Sequence, residues 1–391
     1  MNKTVKRVVA LVVMVALALG IPMWRSNSQK LEYVPLQNGA PVVMTINGEE
    51  VPADEYATYF YYNMMYYENM YAQYYGLMGI WDDEQTAEMM GASLPLDAQN
   101  QAVYSHVLLQ EFEKAGLSLS EAQRKELYKL RKDAIDQMGG YDTYVQKIAQ
   151  AGFTDQTYTN FMYLTYVYSA LNEYYFGENG INKPSDEELQ TYFRENYLSA
   201  KHILLLTTDP STGEVKRTDA EAQQEAQALL DRINAGEDFD ALMQEYSEDG
   251  GLEGNPNGYI FTEGDMVTEF YEGTKALEPG EVSGLVKSSY GYHIIKRQPL
   301  DEGEFKNYQA SVSIALGKTM DALLNQWMTS AEVETTDLFG EISYKNVTDY
   351  LPEDQKTAAA AAEAAEAAAK ETGSTEQQGA ADTEGAPAEE K

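Results

Sequence analysis

Two of the three histidines in this 391-residue chain, His202 and His293, fall near the two ends of one domain-sized stretch, Ala200 to Pro299. His202 lies in Ala200-Lys201-His202-Ile203-Leu204-Leu205-Leu206, an apolar run of strand length. His293 lies in a second such run, Tyr290-Gly291-Tyr292-His293-Ile294-Ile295-Lys296. Imidazoles brought together from two strands can fix each other's tautomer and orient neighbouring groups, or ligate a metal with nearby carboxylates. The metal reading, a metal-dependent hydrolase, has little behind it, because no His-Glu-x-x-His or comparable spacing occurs. A lone histidine in an apolar strand is more often a satisfied core residue, so the pairing carries the interest.

The elements that must position the two histidines are clearly punctuated. Thr218 and Glu221 form a capping box for a helix whose apolar face is Ala222, Ala226, Leu229, Leu230 and Ile233, and Gly236 stops it. Phe239, Leu242, Met243 and Tyr246 stripe a second, short helix that ends at Ser247-Glu248-Asp249-Gly250-Gly251. After a Gly/Pro/Asn-rich loop come a short strand, Tyr259-Ile260-Phe261, a short helix from Met266 to Tyr271, and a turn at Glu278-Pro279-Gly280-Glu281. The order is strand, two helices, strand, helix, two strands: an α+β domain with a small antiparallel sheet.

Six motifs in this order give the stretch from Ala200 to about Arg297 a family resemblance. They are Ala200-Lys201-His202-Ile203-Leu204, Gly236-Glu237-Asp238-Phe239, Tyr246-Ser247-Glu248-Asp249, Gly264-Asp265-Met266-Val267 with Phe270, Pro279-Gly280-Glu281-Val282-Ser283, and Gly291-Tyr292-His293-Ile294-Ile295. The stretch resembles the parvulin-type peptidyl-prolyl cis-trans isomerases. The resemblance implies that His202 and His293 are the family's paired histidines and that Asp249 is the acidic or thiol position facing the substrate, all three catalytic. It implies a proline pocket floored by Met266 and Phe270 and lined by Tyr259 and Phe261. In one place the chain departs from the family: Pro256-Asn257-Gly258-Tyr259-Ile260-Phe261 puts Gly258 where a pocket leucine is common, and Tyr259 is expected to fill that space. Thr207 to Glu214 carries no basic residue, which argues against phosphoserine recognition.

The chemistry this implies needs no nucleophile and no cofactor or metal. Twisting an X-Pro amide meets a barrier of roughly 18–20 kcal/mol. A site that grips the ring in an apolar pocket and stabilises the twisted amide need remove only about 4 kcal/mol to gain a thousandfold.

Composition frames the rest. A net charge of -35 argues against nucleic acid as a partner, and the absence of cysteine excludes disulfides, a thiol nucleophile and a lipidated cysteine anchor. Residues 1–25, with Lys3, Lys6 and Arg7 before the apolar run Val8 to Met23, read as a signal peptide or membrane anchor. An uncleaved anchor would hold the protein on the extracytoplasmic face of the cell membrane, and cleavage would release it as a secreted protein.

Residues 26–41 read as a linker and 42–198 as a mostly helical lobe, opening with two short strands around Asn47-Gly48. The helix after Pro52 carries Tyr and Met on nearly every face, either as core or as a client-binding surface. Ser118 with Glu121, Thr154, and Ser185 with Glu188 mark later helix starts. The pattern around Tyr144 to Thr154 is similar to the chaperone lobe of exported foldases of the SurA and PrsA kind. Residues 199–299 form the isomerase-like domain, inserted in that lobe. Residues 300–352 are expected to return to the lobe, with one long helix from Phe305 to Met328. Residues 353–391, dominated from Thr357 to Lys391 by Ala, Glu, Gly, Thr and Gln, are expected to be a disordered tail.

The leading expectation is an exported isomerase and chaperone acting on unfolded or partly folded exported polypeptides. The alternative is a non-catalytic holdase that keeps the parvulin fold for binding.

Overall fold

The computed structural model describes residues 33–35, 39–361 and 364. The expected membrane-targeting segment and most of the expected linker lie outside the described residues. No helix among the described residues is long and apolar enough to cross a membrane. The chain divides into two compact units: Met1–Lys183 with Thr319–Lys391, and Pro184–Lys318 inserted between them in sequence.

The first unit opens with β1 (Val42–Ile46) and β2 (Glu49–Pro52), joined by Asn47 and Gly48 at φ 52° and 83°, the tight turn that an Asn-Gly pair favours. Six helices follow: α1 (Ala53–Tyr75), α2 (Glu84–Gly91), α3 (Leu94–Lys114), α4 (Glu121–Gln137), α5 (Tyr141–Gln150) and α6 (Asp155–Phe176). In α1 the aromatic surplus divides. Tyr56, Phe60, Tyr61 and Tyr62 are buried in the core, whereas Tyr74 and Tyr75 in the last turn are exposed. The capping box of α4 is Ser120 with Gln123, one polar pair later than Ser118 and Glu121.

The inserted unit contains α7 (Asp186–Asn196), β3 (Leu198–Leu206), α8 (Asp219–Asn234), α9 (Phe239–Tyr246), β4 (Tyr259–Phe261), α10 (Thr268–Lys275), β5 (Val282–Lys287), β6 (Gly291–Gln298) and α11 (Phe305–Ala315). Its antiparallel sheet has the order β4-β3-β6-β5. Ile203, Leu205, Tyr292 and Ile294 face one side and pack with Ala222, Leu229 and Leu242 of α8 and α9. Ala200 and Ile295 face the other and pack with Phe261 and with Phe270 and Tyr271 of α10. The strand-helix order from β3 to β6 is the one read from the sequence. The helix expected from Met266 begins at Thr268, leaving Met266 in the preceding turn.

Two expected boundaries move. The segment from Phe305 to Met328 is two helices, not one, because Leu316-Gly317-Lys318 interrupts it with Gly317 at φ 66°. α11 and α7 then share a core of Phe193, Tyr197, Phe305 and Val312 within the inserted unit, so both flank the isomerase-like sheet rather than belonging to the helical lobe.

The chain re-enters the first unit with α12 (Met320–Ser330), β7 (Val333–Thr335) and α13 (Asp337–Glu341), and β7 adds to β1 to complete a sheet of order β2-β1-β7. The segment expected to be tail begins inside the fold. Residues 353–361 are helical, Ala359 is buried, and the buried Gln355 accepts from Thr58 Oγ1 (2.8 Å) and donates to the Gly152 carbonyl (2.8 Å). An alanine-rich composition hid one glutamine whose amide satisfies two interior groups.

Candidate active site

The register of the central ladder sets the site. His202 lies opposite Ile295 and His293 opposite Leu204, so the two imidazoles are diagonal neighbours on one face of β3 and β6. Their Nδ1 atoms are 3.2 Å apart and the rings stack at 5.3 Å between centroids.

A third group arrives because β4 is short. It pairs with β3 only from Leu198 to Ala200, leaving the edge of β3 beyond that point open. The loop after α9 covers this edge: Glu248 N donates to the Leu204 carbonyl (2.8 Å), Leu204 N donates to Ser247 Oγ (3.1 Å), and Leu206 N donates to Glu248 Oε2 (2.7 Å). Arg217 pins Glu248 through both guanidinium ends. The next residue is Asp249, whose Oδ2 sits 3.0 Å from His202 Nε2.

Asp249 is held on several sides. Tyr259 donates its hydroxyl to Oδ2 (2.5 Å) and Gly251 N donates to Oδ1 (3.0 Å). Burial alone would raise this carboxyl, but the hydrogen bonds from His202, Tyr259 and Gly251 outweigh it and hold the acid well below the usual carboxylate range. Burial, reinforced by the Asp249 charge, pushes the Tyr259 phenol up. At the far end, Ser288 Oγ is 2.7 Å from His293 Nε2, and burial followed by the neighbouring His202 pushes His293 down to about 3. A neutral His293 is therefore the form present at ordinary pH.

One proton arrangement satisfies the whole chain of contacts. Ser288 donates to His293 Nε2, His293 Nδ1–H donates to His202 Nδ1, and His202 Nε2–H donates to the Asp249 carboxylate. The Tyr290 backbone N–H, at 3.2 Å, then donates to Ser288 Oγ. Every imidazole nitrogen has a partner, so both rings are fixed in tautomer and orientation.

Beneath them lies an apolar floor. The Phe270 ring meets both imidazoles near edge-on, with centroids 4.9 Å from His202 and 5.4 Å from His293, and Phe261 packs on Phe270 at 5.5 Å. Phe261 and Phe270 are buried, whereas Met266 and Tyr259 are only partly covered and pack against the same cluster. All seven residues singled out in the sequence, His202, Asp249, His293, Met266, Phe270, Tyr259 and Phe261, thus belong to one locality. Gly258 does not stand in for a pocket leucine. At φ 89°, a Cβ there would lie 2.4 Å from the Ala200 carbonyl oxygen, so the position is a close backbone approach to β3 with no room for a side chain.

Ser288 and the amide of Gly251 are site groups that the sequence reading missed. The one available signal for Ser288 was its place in Lys287-Ser288-Ser289-Tyr290, the turn that feeds the histidine strand.

Among the described residues, no group of three or more His, Asp or Glu side chains is placed to hold a metal ion.

The family profile of the PPIC-type PPIase domain matches residues 189–299. The chain is 35% identical over 164 residues to the foldase protein PrsA of Halalkalibacterium halodurans, covering 39% of this chain and 44% of that one. It is 42% identical over 98 residues to the chaperone SurA of Chromohalobacter salexigens, covering 25% of this chain and 21% of that one. The chain thus spans less than half the length of the curated relatives it matches. Among solved structures, a peptidylprolyl isomerase (PrsA) from Bacillus cereus aligns with 69% of this chain and 90% of its own at 20% identity and a TM-score of 0.33. The parvuline NmPin of Nitrosopumilus maritimus aligns with 27% of this chain and 97% of its own at 34% identity and a TM-score of 0.21. The profile match supports one conclusion: residues 189–299 are a PPIC-type PPIase domain, that is, a parvulin-type peptidyl-prolyl isomerase domain.

Proposed function

We propose that the inserted unit catalyses cis-trans isomerisation of X-Pro bonds in unfolded polypeptides outside the cytoplasm, while the helical unit holds those clients. The observation that carries the catalytic half is the fully partnered line from Ser288 through His293 and His202 to Asp249, laid over the Phe270 ring. A substrate proline ring would rest on the apolar side formed by Met266, Phe261 and Phe270. The twisted amide would meet the polar side at Asp249, whose side chain is 17% exposed against 10% for His202. His202 and His293 would then orient that carboxylate and shape the local field rather than exchange covalent bonds with the substrate. Tyr259 spends its hydroxyl on Asp249, so it would present a ring wall to the pocket.

The holding half is supported by the aromatic and methionine side chains at the end of α1 and beyond, with Tyr74, Tyr75, Leu77 and Met78 all exposed. Export is supported by the basic start and apolar run of residues 1–25, which would leave the protein anchored at the extracytoplasmic face of the membrane or released from it.

Exchange spectroscopy on a short Ala-Pro peptide tests the catalytic half. The full chain at substoichiometric concentration is expected to raise the cis-trans exchange rate at least a hundredfold over the free peptide. An unchanged rate would leave the unit as a binding module and favour the non-catalytic holdase.

A further inference from the structure

A pocket in the helical unit lies between α1, α3 and α6 and is lined by Tyr59, Tyr62, Gln101, Phe153, Asn160 and Phe161, among others. It is already engaged by a piece of the same chain. Tyr33 also lines the pocket and meets Tyr163 at 6.1 Å between ring centroids. The next residue, Val34, is gripped by its backbone: Val34 N donates to Asn160 Oδ1 (3.0 Å), and Asn160 Nδ2 donates to the Val34 carbonyl (2.6 Å). Gln156 Nε2 donates to the same Oδ1 (2.9 Å) and so fixes the orientation of the Asn160 amide. A carboxamide that pairs with both main-chain groups of one residue does what an adjacent β-strand does, and it recognises extended backbone without regard to the side chain.

The pocket offers more than Tyr33-Val34-Pro35 uses. Gln101 is buried and lines it, yet neither its Nε2 nor its Oε1 has a hydrogen-bond partner. The buried hydroxyl of Tyr62 lines the same pocket and also lacks one. Buried polar groups left without partners are costly, so a second, idle carboxamide lining the same pocket as the engaged one marks capacity for a further length of backbone.

We propose that this pocket is a binding site for an extended, tyrosine-bearing segment of an unfolded polypeptide, and that Tyr33-Val34-Pro35 occupies it in cis as a competing pseudo-client. Asn160 reads the backbone, the ring of Tyr59, Phe153 and Phe161 takes the aromatic side chain, and Gln101 serves the next stretch of a longer ligand. The inference deepens the client-holding half of the proposed function and rests on that half alone.

The probe is a fluorescently labelled seven-residue peptide with the sequence of residues 31–37, LEYVPLQ. Its anisotropy is followed against the full chain, the Tyr33→Ser chain, and the Tyr33→Ser chain that also carries Asn160→Leu. Weakening the cis segment is expected to tighten peptide binding at least tenfold. Adding Asn160→Leu, which keeps the shape and removes both hydrogen bonds, is expected to abolish the gain. A peptide with serine in place of its tyrosine is expected not to bind. Equal affinity in the full chain and the Tyr33→Ser chain, no binding to either, or binding indifferent to Asn160→Leu would each overturn the proposal. A variant-free readout guards against misfolding: millimolar peptide is expected to accelerate hydrogen exchange at the Val34 amide of the unaltered chain, and unchanged exchange contradicts displacement. X-Pro exchange rates measured on the same samples report the isomerase separately, so failure of one reading leaves the other visible.

Discussion

His202 and His293 stand two positions out of register on one face of the β3-β6 ladder, which brings their Nδ1 atoms to 3.2 Å and leaves each outer nitrogen free for a different partner. His202 turns to Asp249 and His293 to Ser288. The pair is therefore a relay of orientation between a buried serine and a partly open carboxylate.

Ser288 is a positioning residue in this arrangement. Ser288→Ala leaves His293 Nε2 without its partner, a loss of about 1–3 kcal/mol in folding stability. It is expected to lower kcat roughly tenfold with KM little changed, and Ser288→Thr is expected to restore most of it. Steady-state kinetics on a proline peptide decide the point; a change confined to KM would place Ser288 in substrate binding instead.

Acid should weaken the inserted unit through His293. Its folded value, about 3, lies below the ordinary histidine value of 6.5, so its contribution is present above 6.5 and is lost as pH falls from there toward 3. Between pH 7 and pH 5 that amounts to about 2 kcal/mol. Hydrogen exchange at the β3 and β6 amides should show it, and His293→Asn should flatten the profile. A flat profile in the unaltered chain would mean that the ring is not kept neutral.

In the helical unit the sign reverses. Burial opposes charging His106, but Glu55 at 3.1 Å and Glu49 at 3.2 Å outweigh it and raise its pKa. That contribution is complete below 6.5 and is lost as pH rises through the raised value. Tryptophan fluorescence reads this unit, since Trp81 and Trp327 both lie in it. His106→Gln is expected to lower its stability at pH 6 more than at pH 9, and an equal loss at both would show that the ring acts by packing.

Supplying the leucine that many parvulins carry should not improve this site. Gly258→Leu forces a side chain into φ 89° and against the Ala200 carbonyl, and it should destabilise the unit by about 1–3 kcal/mol or more. Thermal unfolding measures the loss; a stable variant with faster turnover would show that the position is a pocket wall.

Gln355→Ala should lower the unfolding free energy of the helical unit by about 1–3 kcal/mol, because the Gly152 carbonyl loses the amide that donates to it and Thr58 keeps only its bond to the Asp54 carbonyl. Urea unfolding followed by Trp81 tests it, and an unaffected midpoint would mean that this helix is dispensable.

Most of the isomerase unit was legible because its signals are local. Capping at Thr218, the glycine-rich break after Tyr246, and apolar runs around His202 and His293 mark element after element. Long-range pairings left no such trace. β7 is three residues long with two of them exposed, so nothing in Val333-Glu334-Thr335 announces a partner nearly 290 positions away at Met44 and Ile46. Gln355 and Ser288 are single polar residues whose importance comes only from what the fold places beside them. Gly258 was read as a missing side chain when its backbone angle was the information.

The most direct test is proline-limited refolding of a denatured client, with aggregation of the same client followed in parallel. The full chain is expected to accelerate the slow phase and suppress aggregation. His202→Ala and Asp249→Ala are each expected to cut the acceleration at least tenfold while leaving suppression intact. An unchanged slow phase, or equal loss of both activities in folded variants, would contradict a catalytic role for the His202–Asp249 pair.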